Sequence, residues 1–228
     1  MKKTRVSLKA QGARALLIIV ISLGAALLLH TIYYKAIGIS DADVRKRVYK
    51  IQSNTGNCTG VQVRAASGKV VMLTAAHCFG LFSRIVPGGR ITATAIAENG
   101  TKTVIEYVDR DDYLDLMIMT KVNDDFVFLA NNVKLHQRIH STGHGLGLPL
   151  FSTEGELVTT TTCQFMPMPD CIMLGPLMLG TALVLPGGSG GPLLNNQNEL
   201  IGITVRYQMP LFSLSVPIDV VRNFLKKY

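Results

Sequence analysis

The chain has 228 residues, 48% of them hydrophobic and 17% charged, with a formal net charge of +8. That apolar fraction can fill a sizeable core and excludes an intrinsically disordered chain. Six of the positive charges fall in the first 35 residues with no acid among them, which leaves +2 on the remainder and no clustered basic footprint for nucleic acid.

Residues 1–14 form a basic segment carrying Lys2, Lys3, Arg5, Lys9 and Arg14, and the run from Ala15 to Ile32 has no charged residue. Eighteen residues at a helical rise make about 27 Å, close to the hydrocarbon thickness of a bilayer. Eleven Leu, Ile or Val residues in that run contribute about −3 to −7 kcal/mol to insertion, from which Ser22, Gly24 and His30 subtract. A single-pass transmembrane anchor over 15–34 is expected, with Tyr33 and Tyr34 in the interfacial belt. The alternative is a cleaved signal peptide, but the one small-x-small site, Ser40-Asp41-Ala42, lies far beyond the apolar run.

Basic residues flank the span on both sides, so positive charge alone does not orient it. Cys58, Cys78, Cys163 and Cys171 are an even set behind a membrane-targeting start. They read as two disulfides in an oxidising compartment, which puts the folded part outside the cytoplasm; three connectivities fit. Residues 35–57 read as a juxtamembrane segment in which the Ser40 and Asp43 spacing predicts a short helix over Asp41 to Lys50. Its Arg45-Lys46-Arg47 face suits anionic lipid.

From Cys58 the texture changes to short β-rich runs: Gly60 to Ala65, Val70 to Thr74, Arg90 to Ala97, Lys102 to Asp109 and Leu116 to Lys121. A second series starts near Arg138 and includes Leu157 to Gln164, Leu177 to Leu185, Pro192 to Leu194, Leu200 to Tyr207 and Phe212 to Val216. Short strands with turn signals such as Ser67-Gly68 and Asn99-Gly100 suggest an antiparallel sandwich or barrel, and the two series are read as an all-β fold of two antiparallel β-barrels, about 58–124 and 135–228. No internal repeat stands out.

Three stretches carry chemistry. Thr74-Ala75-Ala76-His77-Cys78 holds an imidazole, Leu114-Asp115-Leu116-Met117-Ile118 a carboxylate, and Gly187-Gly188-Ser189-Gly190-Gly191-Pro192 a hydroxyl in a glycine-rich setting. Taken singly they read as a structural histidine, a turn carboxylate and a turn. Taken together, in one order, they supply a nucleophile, the base that removes its proton and the group that orients the base.

On these residues the chain resembles the trypsin-like (chymotrypsin-fold) serine proteases, and within them the HtrA-like branch without a PDZ domain after Tyr228. The resemblance runs from about Thr59 to Leu225. It also draws on Ser141-Thr142-Gly143-His144-Gly145 with Thr153 to Val158, and on Ser215 to Ile218 followed by Val220 to Leu225 as closing strand and C-terminal helix. It implies a catalytic set of His77, Asp115 and Ser189, an oxyanion hole from the N–H groups of Gly187 and Ser189, and disulfides Cys58–Cys78 and Cys163–Cys171. Leu183 would floor the primary pocket, favouring cleavage after small or medium apolar residues. Thr204, Val205, Arg206 and Tyr207 would pair with substrate as an added strand, with Arg206 and Tyr207 narrowing the pocket. Gly188 stands where digestive relatives carry an activating Asp, so no zymogen switch of that kind is expected, and the double glycine suggests a loop that substrate orders. The implied function is a membrane-anchored serine endopeptidase acting on proteins or peptides with no cofactor; the alternative is a catalytically silent protease-fold binding module at a membrane.

His136, His140 and His144 recur every four residues, a metal-like spacing on a helix. Gly143, Gly145 and Gly147 oppose a helix, and on a strand four residues span about 13 Å, too far for one ion. No metal site is expected, and these histidines read as structural or surface residues.

Overall fold

A computed structural model describes residues 42–80, 91–162, 175–208 and 212–228. The expected membrane span, Cys163 and Cys171 lie outside the described residues, and among those described no helix is long and apolar enough to cross a membrane.

The described strands form two closed antiparallel barrels. Barrel one comprises β1 (Val48–Ser53), β2 (Gly56–Arg64), β3 (Val70–Ala75), β4 (Thr92–Ile96), β5 (Lys102–Asp111) and β6 (Leu116–Met119), in the order β1-β2-β3-β6-β5-β4. Barrel two comprises β7 (Arg138–Gly143), β8 (Phe151–Thr162), β9 (Pro176–Gly180), β10 (Pro192–Leu194), β11 (Leu200–Gln208) and β12 (Phe212–Pro217), in the order β10-β11-β12-β9-β8-β7. The connectivity is the same in both: the third strand pairs with the sixth, and the first pairs with the fourth to close the ring. Closure leaves each barrel without a long unpaired edge.

The predicted runs from Val70 onward fall on strands of both barrels, with two differences: β8 begins at Phe151, six residues before the expected start at Leu157, and β9 ends at Gly180, five residues before the expected end at Leu185. The stretch Asp41 to Lys50 differs more. Helix is confined to one turn, Ala42–Arg45, and Val48–Ser53 is a full strand pairing with β2 over Val48↔Val61 to Ser53↔Gly56 and with β4 at Ile51↔Ala95. Barrel one therefore starts ten residues before the expected boundary at 58. Val48, Tyr49 and Ile51 are buried there. β-Branched and aromatic side chains fit a pleated surface, and the closing ladder outweighs the cap-like spacing of Ser40 and Asp43.

β3 and β6 are buried along their whole lengths, VVMLTA and LMIM, and so read as unbroken apolar runs rather than alternating ones. The core of barrel one is continuous with a layer from barrel two that includes Leu200, Ile203, Val205 and Val216. Ile139, Leu157, Met178, Leu193 and Ile201 form a second, smaller cluster. The C-terminal helix Ile218–Leu225 presents Ile218, Val221, Phe224 and Leu225 to the larger cluster, an amphipathic spacing, and leaves Asp219 and Asn223 outward. The seam between the barrels is thus part of the main hydrophobic core.

Cys58 on β2 is bonded to Cys78 in the 3₁₀ turn Ala76–Phe79 that follows β3, a separation of 20 residues. Cross-linking a loop of this length removes about 3 kcal/mol of chain entropy from the unfolded state. The double variant Cys58→Ala/Cys78→Ala should therefore lose about 2 to 4 kcal/mol in urea unfolding under oxidising conditions; a loss below about 1 kcal/mol would show that this bridge contributes little.

Candidate active site

The β3–β6 ladder sets the first two groups side by side. Ala75 pairs with Leu116, so the residues just past that rung, Ala76-His77 and Asp115, face each other, and the Ala76 N–H donates to Asp115 O at 3.2 Å. The Asp115 carboxylate is fully buried and takes two bonds from one residue: His77 N–H donates to Oδ1 at 2.7 Å, and His77 Nδ1 is 2.7 Å from Oδ2. An acceptor at that distance holds the proton on Nδ1 and leaves Nε2 as the basic nitrogen of a ring 31% exposed. Asp115 has a φ of 54°, a left-handed conformation that costs a non-glycine residue about 1–3 kcal/mol, with Asp among the residues that tolerate it best.

Ser189 lies in the loop leading into β10, and this loop is bound to barrel one. The Thr59 N–H donates to Ser189 O at 2.8 Å, and the Thr59 hydroxyl donates to Gly187 O at 2.8 Å. Gly190 has a φ of 84°, and a Cβ there would sit 2.1 Å from Thr59 O and 2.3 Å from Thr74 Oγ1, so only glycine admits this approach. Ala75 N is also within 2.8 Å of that position, which brings the serine turn against the strand end two residues before His77. The Ser189 hydroxyl itself donates to Val205 O at 3.4 Å and, among the described residues, makes no hydrogen bond to His77.

The backbone of 186–189 shows a regular pattern. Pro186 O accepts from Leu146 N–H at 2.6 Å and Gly188 O accepts from Gly191 N–H at 3.0 Å. A trans peptide directs its N–H opposite its C=O, so the N–H groups of Gly187 and Ser189 face away from these anchors. Among the described residues neither N–H donates to any group, whereas Gly188 N–H donates to Leu185 O and Gly190 N–H to Thr204 O. The loop expected to await ordering by substrate is tied at each of these points.

Thr204 stands differently from its expected role in a substrate strand. Its N–H donates to Gly191 O at 2.9 Å and its C=O accepts from Gly190 N–H at 2.7 Å, so its backbone anchors the serine loop. The β10–β11 ladder ends at Pro192↔Ile203, and a bulge falls between Thr204 and Arg206. From Val205 outward β11 has, among the described residues, a strand partner on the β12 side alone, at Arg206↔Leu214 and Tyr207↔Ser213. Val205 is buried, Arg206 half-buried and Tyr207 46% exposed. Leu183 is exposed, and its carbonyl accepts from Thr153 Oγ1 at 2.7 Å.

Of the three histidines, His136 is exposed and pairs with Glu156, while His140 reaches Asn196. His144 is buried beside the serine loop, with its carbonyl under Gly187 and its N–H donating to Thr59 Oγ1 at 2.9 Å. Sequence reasoning missed Thr59 and gave His144 no place at the site. Position 59, next to Cys58 and at the start of the resemblance, was the available signal. The disulfide sulfurs of Cys58 and Cys78 lie within 4.8 Å of a His77 ring nitrogen, but sulfur engaged in a disulfide offers no thiolate to a metal.

A family model described as a trypsin-like peptidase domain matches residues 58–203. No curated protein matches the sequence at a significant level. Among solved structures, the chain is similar to the Rv3671c protease of M. tuberculosis in its inactive form, with a TM-score of 0.66 at 18% identity over 82% of this chain and 90% of that one. It is also similar to a serine endoprotease from Yersinia pestis, with a TM-score of 0.61 at 17% identity over 86% of this chain and 66% of that one. A third is the HtrA-type protease AlgW with a tripeptide, with a TM-score of 0.65 at 18% identity over 86% of this chain and 62% of that one.

The buried His144 imidazole couples protonation to folding. Burial, aided by Lys50 and Arg45, holds its imidazole below the ordinary value of 6.5, against the opposing pull of the Leu148 carbonyl and Glu98. Its Nε2 is buried and, among the described residues, has no hydrogen-bond partner, which favours the neutral ring. Above the ordinary value both folded and unfolded chains leave this group uncharged; as pH falls below it, the unfolded chain binds the proton first and stability drops until the lowered folded value is passed. The urea midpoint of the native chain should fall between about pH 7 and pH 5 more steeply than that of His144→Asn. Parallel slopes would remove His144 as the cause.

Proposed function

The chain belongs to the trypsin-like peptidase family, and from that premise we propose that it is a membrane-anchored serine endopeptidase that works through His77, Asp115 and Ser189. The observation that carries the reading is the fully buried Asp115 carboxylate with both oxygens on His77, an arrangement that orients a base and stabilises its charged form. His77 Nε2 takes the Ser189 proton as Oγ bonds to the scissile carbonyl carbon. The oxyanion is received by the unpaired N–H groups of Gly187 and Ser189, each worth about 2.7 to 4 kcal/mol of transition-state stabilisation. His77 then gives the proton to the departing amine, and water releases the acyl group by the same steps in reverse.

Substrate backbone adds to the open edge of β11 from Val205 to Tyr207, next to the serine. An exposed Leu183 and the absence of an acid there suit small or medium apolar residues before the cut. Two features support tethering with the peptidase domain outside the cytoplasm: the apolar run over 15–34, for which a cleaved signal peptide is the alternative, and the Cys58–Cys78 bridge.

One observation favours a second reading, a catalytically silent module: the Ser189 hydroxyl is turned to Val205 O. Apo sites often carry long or misdirected catalytic hydrogen bonds that tighten with substrate, so this orientation does not exclude turnover. A fluorophosphonate probe separates the two. Labelling that vanishes in Ser189→Ala, with kcat falling about 10⁴-fold in Asp115→Asn, is the peptidase outcome; a folded native chain that neither labels nor cleaves a peptide library is the silent one. For the anchor, the full chain should stay in the membrane pellet through alkaline carbonate extraction while a fragment starting at Ser40 is released. Recovery of the full chain in the soluble fraction would remove the tether.

A further inference from the structure

Thr59 sits on barrel one, is fully buried, and makes four hydrogen bonds, each to a segment of the site. Its N–H donates to Ser189 O at 2.8 Å, and its carbonyl accepts from Thr74 Oγ1 at 2.7 Å. The hydroxyl does something different. It accepts from His144 N–H at 2.9 Å and spends its single proton on Gly187 O at 2.8 Å, so it forms a two-step chain from the exit of β7 to the serine loop.

At its serine-loop end that chain holds Gly187, whose two flanking peptides are each anchored. The Pro186–Gly187 peptide carries the unpaired Gly187 N–H, and its carbonyl is held by Leu146, two residues after His144. The following peptide is held by Thr59 at the Gly187 carbonyl and by Leu185 at the Gly188 N–H. Gly187 has a φ of 96°, in a region where only glycine turns freely, so nothing in its own backbone preference fixes the direction of its N–H. Neighbouring bonds must fix it.

We infer that Thr59 is a positioning residue for the oxyanion hole: its hydroxyl couples His144 to Gly187 and holds the Gly187 N–H toward the reacting carbonyl. The inference rests on the peptidase reading above. Because Thr59 belongs to one barrel and both of its partners to the other, the hole is assembled only when the barrels are docked. A side chain with the same shape and no hydroxyl leaves two buried polar groups, His144 N–H and Gly187 O, without their partner.

The test compares Thr59→Val, which keeps the shape, with Thr59→Ser, which keeps the hydroxyl, on a peptide substrate found by library cleavage. Thr59→Val should lower kcat about 10²-fold with KM within about twofold, and weaken a peptide aldehyde, whose adduct carries the oxyanion, by a similar factor. Thr59→Ser should stay within about threefold of the native kcat. A purely structural role would lower thermal stability in both variants without this split, so equal kcat loss in Val and Ser, or a Val variant with native kcat, overturns the inference. Should Thr59→Val fail to fold, Thr59→Cys, whose thiol donates weakly, takes its place: at least a tenfold fall in kcat at unchanged KM is expected, and native kcat overturns the inference. A folded native chain that neither labels with the probe nor cleaves overturns the peptidase reading and this inference together; an active native chain with an unaffected hydroxyl-free variant overturns this inference alone.

Discussion

The seating of the serine loop on strand β2 is the contact on which the rest of the site depends. Gly190 lies where a methyl group would meet Thr59 O at 2.1 Å, and this closeness lets Thr59 N–H reach Ser189 O. Two closed barrels have no shared ladder to align them, so alignment falls to side chains and single backbone bonds at the seam. The apolar layer of Leu200, Ile203, Val205 and Val216 against the core of barrel one supplies nondirectional attraction. The Thr59 bonds add direction. Together they convert burial, which fixes only proximity, into the register that catalysis requires.

Strain accompanies this order at two places. Asp115 and Leu146 both adopt left-handed backbone, at φ of 54° and 55°, and each of these conformations costs about 1–3 kcal/mol. Each gains a bond at the site. Asp115 places both carboxylate oxygens on His77, and Leu146 delivers its N–H to Pro186 O at 2.6 Å. Asp tolerates the conformation through its short polar side chain, whereas Leu146 is an exposed apolar residue with no such compensation. The surrounding structure holds it there through the bond to the serine loop and through Gly147 N–H on the carbonyl of His144.

Barrel two turns one strand to three uses. β11 is paired on both sides up to Ile203, then exchanges backbone bonds with Gly190 and Gly191 at Thr204, and beyond the bulge is open on that side among the described residues. Ladder, loop anchor and open edge follow one another along six residues. The carbonyl that receives the Ser189 hydroxyl, Val205 O, stands at the change from anchor to edge. Barrel one has the same strand connectivity but carries the His77 turn after β3 and the Asp115 bend before β6. The shared connectivity leaves no repeat in the sequence, because a closed ladder needs alternating or buried apolar positions and not particular side chains.

Most strands, the closing helix and the residue types that carry chemistry are legible in the chain. Strand runs such as Val70 to Thr74 and Leu200 to Tyr207 are legible because the hydrophobic effect acts on local patterns, and the C-terminal helix because its apolar positions recur at helical spacing. The order of His77, Asp115 and Ser189 was legible because each sits in a short, distinctive local frame. That Val48–Ser53 is a strand follows from pairing across the barrel, since its closing partner Ala95 lies more than forty residues away and local cap signals pointed to helix. Tertiary contacts alone make Thr204 a loop anchor, bury His144 and let Thr59 join the barrels. These depend on single hydrogen bonds between residues as far apart as Thr59 and Ser189, and such bonds leave no periodic trace in a chain.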